Sequence, residues 1–239
     1  MTTISVKNLA ALALEKLCPR CYWRKLTLSF KLPYQILPSV FNVIDGYVKR
    51  VTNDTLGSTH ALPAWLAPLG VQVTRRMGPD GTLDTTWGNW RKFKMMVGDW
   101  EVRGECDELL QLPNSQLWIM DYKTSKRGDK ASDWDPLYHA QLNMYAEIAE
   151  ALGMGQVAKL SLVYYEPVVE PALVKIAEMV KPDGFAMGFK PLVLDVPRVP
   201  GTAQRLVEAA KRILAIGPGN PPMPDCKDCD YVQKLAQLV

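Results

Sequence analysis

The sequence predicts a mixed α/β domain, helices packed on a central sheet, with its two chain ends drawn together by cysteines. Three observations carry this. Helical and extended segments alternate along the chain instead of separating into blocks. A strand–turn–strand pattern near the middle is followed at once by an amphipathic helical stretch. Cys18-Pro-Arg-Cys21 and Cys226-Lys-Asp-Cys229 form two matched pairs near opposite ends of 239 residues.

Each element has its own signal. Ser5 to Leu17 carries leucines and alanines at helical spacing and leads into Cys18. Pro38-Ser39 suits the first turn of a second helix, over 38–51, through Phe41, Ile44, Tyr47 and Val48. Residues 53–92 are rich in Gly, Pro, Thr and Trp with little periodicity, so they read as an irregular insertion with one short helix near Ala64. Trp100 to Leu112 and Gln116 to Lys123 are extended runs joined by a turn at Pro113-Asn114-Ser115. The apolar Trp118-Ile119-Met120 is typical of a buried strand. Over 135–152, Leu137, Gln141, Tyr145, Ile148 and Leu152 recur every three or four residues, which predicts a helix. Leu160 to Tyr165 and Lys190 to Val196 read as strands. Thr202 to Ile216 reads as an amphipathic helix with Thr202 as its N-cap and Gly217-Pro218-Gly219 as its stop. Residues 1–239 therefore form one expected domain: a helical part at 1–52, the insertion at 53–92, an α/β core at 93–216 and a cysteine segment at 217–239.

An apolar fraction of 48% and a charged fraction of 22% are ordinary for a globular chain, and the length suffices for a real core. No apolar run approaches the roughly 20 residues that span a membrane. Ala10 to Leu14 is interrupted by Glu15 and Lys16, unlike a signal peptide. The expectation is a cytoplasmic protein with reduced thiols and no membrane partner. Net charge is +3, too small to announce a nucleic-acid binder, but it is unevenly spread. Residues 1–103 hold 14 Lys and Arg against 7 Asp and Glu, whereas 104–239 hold 14 against 18. The basic half suits a phosphate-facing surface, or the two halves are merely solvated faces that differ.

With reduced thiols, paired cysteines read as metal ligands before disulfides. Cys18, Cys21, Cys226 and Cys229 complete a four-thiolate set that would close a loop of almost the whole chain. Zinc and a [4Fe–4S] cluster both satisfy that ligand count. A redox pair is the third reading, without a thioredoxin-like βαβ unit to support it. Cys106, beside Asp107, points by alternation to the opposite face and reads as a buried apolar thiol.

The central part carries a second chemistry. Hydrolysis of a phosphodiester needs a nucleophilic water, neutralisation of the phosphate and help for the leaving oxygen, and one or two divalent cations supply all three. Hard ions such as Mg²⁺ take carboxylate and carbonyl oxygens. Asp107 and Asp121 lie near corresponding ends of the expected hairpin, where paired strands are only ~4.8 Å apart. The period of two puts Asp121 and Lys123 on one face, with the Tyr122 carbonyl available to the metal and Lys123 placed to orient or deprotonate the water. The plain alternative is a surface ion pair. Glu105 and Glu108 flank Asp107 with the opposite pleat sense and are not expected as ligands.

Gly104-Glu-Cys-Asp107, Asp121-Tyr-Lys-Thr-Ser125 and Gln141-Leu-Asn-Met-Tyr145, in this order, resemble the PD-(D/E)XK nuclease superfamily, closest to its RecB-like branch of Cas4-like and AddB-like nucleases. The resemblance implies a restriction-endonuclease-like central sheet flanked by helices. It implies Asp107 and Asp121 as ligands of Mg²⁺ or Mn²⁺, Lys123 as catalytic, and Gln141 and Tyr145 near the catalytic edge or the DNA backbone. Tyr145 could equally be core. The branch usually adds a His on a helix near the N-terminal cysteines. Here that helix offers Asp45, and His60 lies in the following loop; either replaces the ligand, or the site holds a single ion. The resemblance favours [4Fe–4S] at the cysteines with zinc as the alternative, although related nucleases divide their cysteines one and three where this chain has two and two.

Arg20, Tyr22, Trp23, Arg24 and Lys25, and again Trp87, Trp90, Arg91, Lys92 and Lys94, interleave charges with rings, which suits single-stranded nucleic acid or else simply packs the domain. The expected function is a metal-dependent DNA nuclease, an exonuclease on single-stranded or free ends using a metal-activated water, with a possible partner protein in repair, recombination or genome defence. The rival is a catalytically inactive nucleic-acid-binding or assembly module that keeps the fold.

Overall fold

The computed structural model describes residues 2–30, 39–59, 62–73, 75–76, 92–127, 132–170, 172, 176 and 179–237. In chain order the elements are β1 (Thr2–Ser5), α1 (Val6–Ala10), α2 (Pro19–Thr27), α3 (Ser39–Thr59), β2 (Arg75–Arg76), β3 (Lys94–Val97), β4 (Trp100–Arg103), β5 (Glu108–Gln111), β6 (Leu117–Lys123), α4 (Asp135–Ala151), β7 (Val157–Pro167), β8 (Val180–Lys181), β9 (Gly184–Phe185), β10 (Phe189–Asp195), α5 (Thr202–Ile216) and α6 (Lys227–Ala236). Among the described residues no helix is long and apolar enough to cross a membrane.

The main sheet has the order β10-β7-β6-β5-β2. β5 and β6 form the expected antiparallel hairpin, and β6 and β7 run parallel, joined by α4 as the crossover. A smaller sheet has the order β1-β4-β3, and β8 and β9 make a separate hairpin. Strand alternation divides the interior into two cores. Leu117, Ile119, Leu160, Leu162 and Tyr164 join one core with side chains of α1, α4 and α5. Leu110, Trp118, Met120, Tyr122, Val163 and Tyr165 join the other, with Val48 and Leu56 of α3. The mixed α/β fold with helices flanking its sheets is the one the sequence predicts.

Four local expectations change. Ser5 to Leu17 is not one helix: β1 leads into the short α1 and a single 3₁₀ turn over Ala11–Ala13. The second helix runs on to Thr59, taking in the first residues assigned to the insertion, whose remaining described part holds a 3₁₀ turn at Ala67–Leu69 and β2. Trp100 to Leu112 is two strands in two sheets, broken at Gly104–Asp107, where Cys106 turns into the core at 1% exposure. Thr202 is the first helical residue rather than the cap. Gly201, with φ +74, holds the cap position. The amides of Thr202 and Ala203 donate to the Glu147 carboxylate of α4 at 2.7 and 3.1 Å, so a neighbouring helix supplies the acceptor that a local hydroxyl was expected to give.

Candidate active site and cysteine centre

The break between β4 and β5 places Asp107 directly before β5, in register opposite the end of β6, since Glu108 faces Met120. Asp107 accepts a 2.7 Å hydrogen bond from the Tyr122 amide through Oδ2, which fixes its carboxylate against the strand carrying Asp121. Asp121 is buried at 3% exposure and forms an ion pair with Lys123 on the same face. Tyr122 points the other way, its ring edge-on to Tyr165 at 5.6 Å. The Lys123 ammonium also lies 4.4 Å from the centroid of the Tyr138 ring, a cation–π contact from α4.

Lys49 of α3 enters from the other side of the hairpin. Its Nζ is 2.9 Å from Asp107 Oδ1 and 2.9 Å from Asp45 Oδ2. The spacing of four between Asp45 and Lys49 was visible in the sequence, but the same pattern on a helix surface marks an ordinary ion pair. Asp45 thus lines the cleft and is paired there with Lys49. His60 lies outside the described residues.

Gln141 and Tyr145 line the same cleft from α4, both nearly fully buried, with Gln141 Nε2 donating to Tyr145 Oη at 2.7 Å. Their ring and amide explain Gly104. A Cβ there would stand 2.5 Å from Tyr145 Cε1 and 2.8 Å from its Cδ1. The ring cannot swing away cheaply, being packed at 6.2 Å on Phe93 and tied to Gln141. Gly104→Ala is expected to cost about 1–3 kcal/mol as overpacking, read from denaturant unfolding. An unchanged midpoint would show that the ring does not set the identity of this position.

The cleft that these residues line has a volume of about 870 Å³. Its charged lining is balanced: Asp45, Glu105, Asp107 and Asp121 against Lys7, Lys49, Arg103 and Lys123. Burial, and then the neighbouring Asp121, pushes the Asp107 carboxyl up to about 7, against the pull of Lys49 and the Tyr122 amide. Burial opposes the Lys123 charge, but Asp121 outweighs it and holds the ammonium above its ordinary range. Burial raises Tyr145 well above a normal phenol. At neutral pH Lys123 is therefore a donor and Tyr145 a neutral phenol.

Outside the cleft, the two cysteine pairs come together as expected. Cys18 and Cys226 are the N-caps of α2 and α6, and Cys21 and Cys229 lie in the first turns, so two helix N-termini converge on the sulfurs. The four ligand atoms lie within 4.8 Å of one another, with Cys18–Cys229 and Cys21–Cys226 at 3.6 Å and Cys21–Cys229 at 3.3 Å. This donor set can bind a metal. Burial resists ionisation of Cys18, but hydrogen bonds from the Met223 amide and the surrounding cysteines bring it down to about 6. Burial and the neighbouring thiols push Cys21 up.

Three residues of the basic and aromatic run on α2 are engaged within the domain. Tyr22 is buried and donates to Asn8 O at 3.0 Å, Arg20 donates to Asn220 O at 2.8 Å, and Arg24 approaches Cys229 Sγ at 3.8 Å. Trp87, Trp90 and Arg91 lie outside the described residues, and Lys94 is paired with Glu101.

A family model described as the PD-(D/E)XK nuclease superfamily matches residues 29–233, a span holding the hairpin, α4 and the whole carboxylate–lysine group. The chain belongs to the PD-(D/E)XK nuclease superfamily. Members are mostly nucleases that use divalent metals, and membership implies nucleic acid as the ligand. Cys18 and Cys21 fall before the matched span. A solved structure described as "Crystal structure of SSO0001" is 16% identical, covering 89% of this chain and 76% of that chain with a TM-score of 0.43. No curated protein shows a significant match.

Proposed function

We propose that this protein is a metal-dependent deoxyribonuclease whose active centre is Asp107, Asp121 and Lys123. The observation that supports it is their convergence from β5 and β6 at one cleft, bordered by Gln141 and Tyr145 of α4. The donor set fits a hard divalent ion such as Mg²⁺ or Mn²⁺: the buried Asp121 carboxylate on β6 and the half-buried Asp107 just before β5, with the Tyr122 main chain between them. When bound, such an ion supplies charge that activates water and neutralises the phosphate. Asp107 and Asp121 would hold it, with the Tyr122 carbonyl as a third protein donor. The Tyr122 amide keeps the Asp107 carboxylate turned toward Asp121. Lys123 orients the attacking water and stabilises the negative charge that grows on the phosphate, acting as a donor because its ammonium is retained. Gln141 and Tyr145 shape the wall on which the strand rests. Preference for single-stranded ends and exonuclease action follow from the resemblance to the RecB-like branch.

Digestion of end-labelled single-stranded DNA with Mn²⁺, abolished by chelation, is the expected result. No cleavage of single- or double-stranded DNA with either ion would leave the binding-module reading in place. Protonation gives a further test. The folded Asp107 carboxyl titrates at about 7, above the ordinary value of about 4. In the metal-free protein its contribution to stability is full below about pH 4 and is lost as pH rises through 7. An ion must displace that proton, so Mn²⁺ affinity is expected to be about tenfold weaker at pH 6 than at pH 8. Calorimetry in two buffers at pH 6 should count about one proton released per ion, and far less than one at pH 8. Equal affinity at both pH values would remove Asp107 from the ligand set.

For the cysteines we infer one tetrahedral ion, zinc, in place of the iron–sulfur cluster. Metal–sulfur bonds of ~2.3 Å set thiolates about 3.8 Å apart, close to the sulfur contacts here. In a [4Fe–4S] cluster the four thiolates attach to four different irons and stand further apart than ligands of one ion. Elemental analysis of the purified protein should give zinc without the visible colour of an iron–sulfur cluster.

A further inference from the structure

Lys49 is placed as a bridging cation would be. Its ammonium touches one carboxylate from its own helix, Asp45, and one from the hairpin, Asp107, each at 2.9 Å. The helix is not free to rotate this lysine away. Val48, on the neighbouring face of α3, is part of the second core, and the buried Thr52 places its Oγ1 3.1 Å from Tyr165 Oη. On the far side of Asp107 stand the Tyr122 amide and then Asp121 with Lys123. Thus each end of the carboxylate row carries a lysine.

Charge points the same way. Once an ion has displaced the Asp107 proton, Asp45, Asp107 and Asp121 bring three negative charges, and Lys49 and Lys123 two positive ones, a net charge of −1 before the ion is counted. One divalent ion turns it to +1, which a single bridging phosphodiester balances. Two ions would leave +3 in a partly buried pocket, a state that desolvation disfavours.

We propose that Lys49 replaces a second divalent ion: the centre binds one ion, between Asp107 and Asp121, and Asp45 holds Lys49 instead of metal. An ammonium has three donors, and two are engaged here, so the third can meet a phosphate oxygen on the side away from the ion. The inference rests on the active-centre reading above, and the experiment separates the two.

The experiment counts tightly bound Mn²⁺ by electron paramagnetic resonance, in full-length protein with its cysteine centre as purified. Wild type is expected to bind one Mn²⁺. Lys49→Ala, which releases Asp45 and one oxygen of Asp107, is expected to bind two, and Lys49→Arg one. Adding Asp45→Asn to Lys49→Ala should return the count to one. Lys49→Gln removes the same charge with a longer side chain and gives the same count should the alanine variant fail to fold. Two ions in the wild type, or no second ion in either neutral variant, overturns the role of Lys49 and leaves the nuclease centre standing. No bound Mn²⁺ in the wild type overturns both.

Discussion

Replacing either Asp121 or Lys123 by alanine is expected to lower phosphodiester cleavage at least about 100-fold, the scale on which positioned charges act in enclosed sites. The two variants should differ in stability, and the difference is diagnostic. Asp121 is buried at 3% exposure, and Lys123 is its ion-pair partner. Lys123→Ala leaves a buried carboxylate without its cation, a change that costs about 3–5 kcal/mol in metal-free protein. A divalent ion offsets that cost by supplying positive charge at the same carboxylate, so Mg²⁺ should restore much of the stability and none of the activity. Removing both partners together leaves no isolated charge. The double variant should therefore unfold later than Lys123→Ala while remaining just as inactive, since the two groups act as a unit. Thermal midpoints with and without Mg²⁺, set beside initial rates on labelled DNA, separate these effects. Wild-type rates in both single variants would remove the active-centre assignment.

What could be read from the chain, and what could not, follows from the range of the forces involved. The β5–β6 hairpin, α4 and α5 announce themselves because periodicity and turn chemistry are local. The pairing of Asp121 with Lys123 is equally local, a consequence of strand alternation. The break at Gly104–Asp107 is not. Both flanks are extended, and the groups that crowd a side chain there are distant in sequence: the Tyr145 ring, some forty residues later, and Val6 of α1. Lys49 was hidden for the same reason. Its meaning comes from Asp107, on an element distant in sequence. In the run Arg20–Lys25 charge and aromaticity are visible in one dimension, whereas the burial of Tyr22 is decided by packing. Thr202 looked like a cap until Glu147 arrived from another helix.

These long-range contacts also connect the two centres. α2 packs on α5, and α5 packs on α4, the helix that presents Tyr138, Gln141 and Tyr145 to the cleft. Asn220 strengthens this path: buried just after α5, it accepts from Arg20 and donates to Ile213 O and Gly217 O. The cysteine centre therefore closes the chain ends around the helical layer that supports the active site, without contributing a side chain to the cleft lining.

Opening that closure is the second large effect expected. Cys229→Ser removes a sulfur in contact with both Cys18 and Cys21, and the remaining three cannot hold a tetrahedral ion tightly. An ion shared by these sulfurs would join residues separated by 211 positions, so its loss would return a very long loop to the unfolded ensemble. By analogy with a disulfide closing such a loop, the folded state should lose about 2–5 kcal/mol. In a domain of this size that is a fall of about 5–20 °C in Tm. A strong chelator should lower the wild-type midpoint toward that of Cys229→Ser and leave the variant unmoved. Cleavage assayed well below both midpoints should persist, because none of the four cysteines lines the cleft. Equal midpoints for wild type and Cys229→Ser would show that the sulfurs meet without holding the ends together. Loss of cleavage in a variant that is still fully folded would give the centre a catalytic part instead of a structural one.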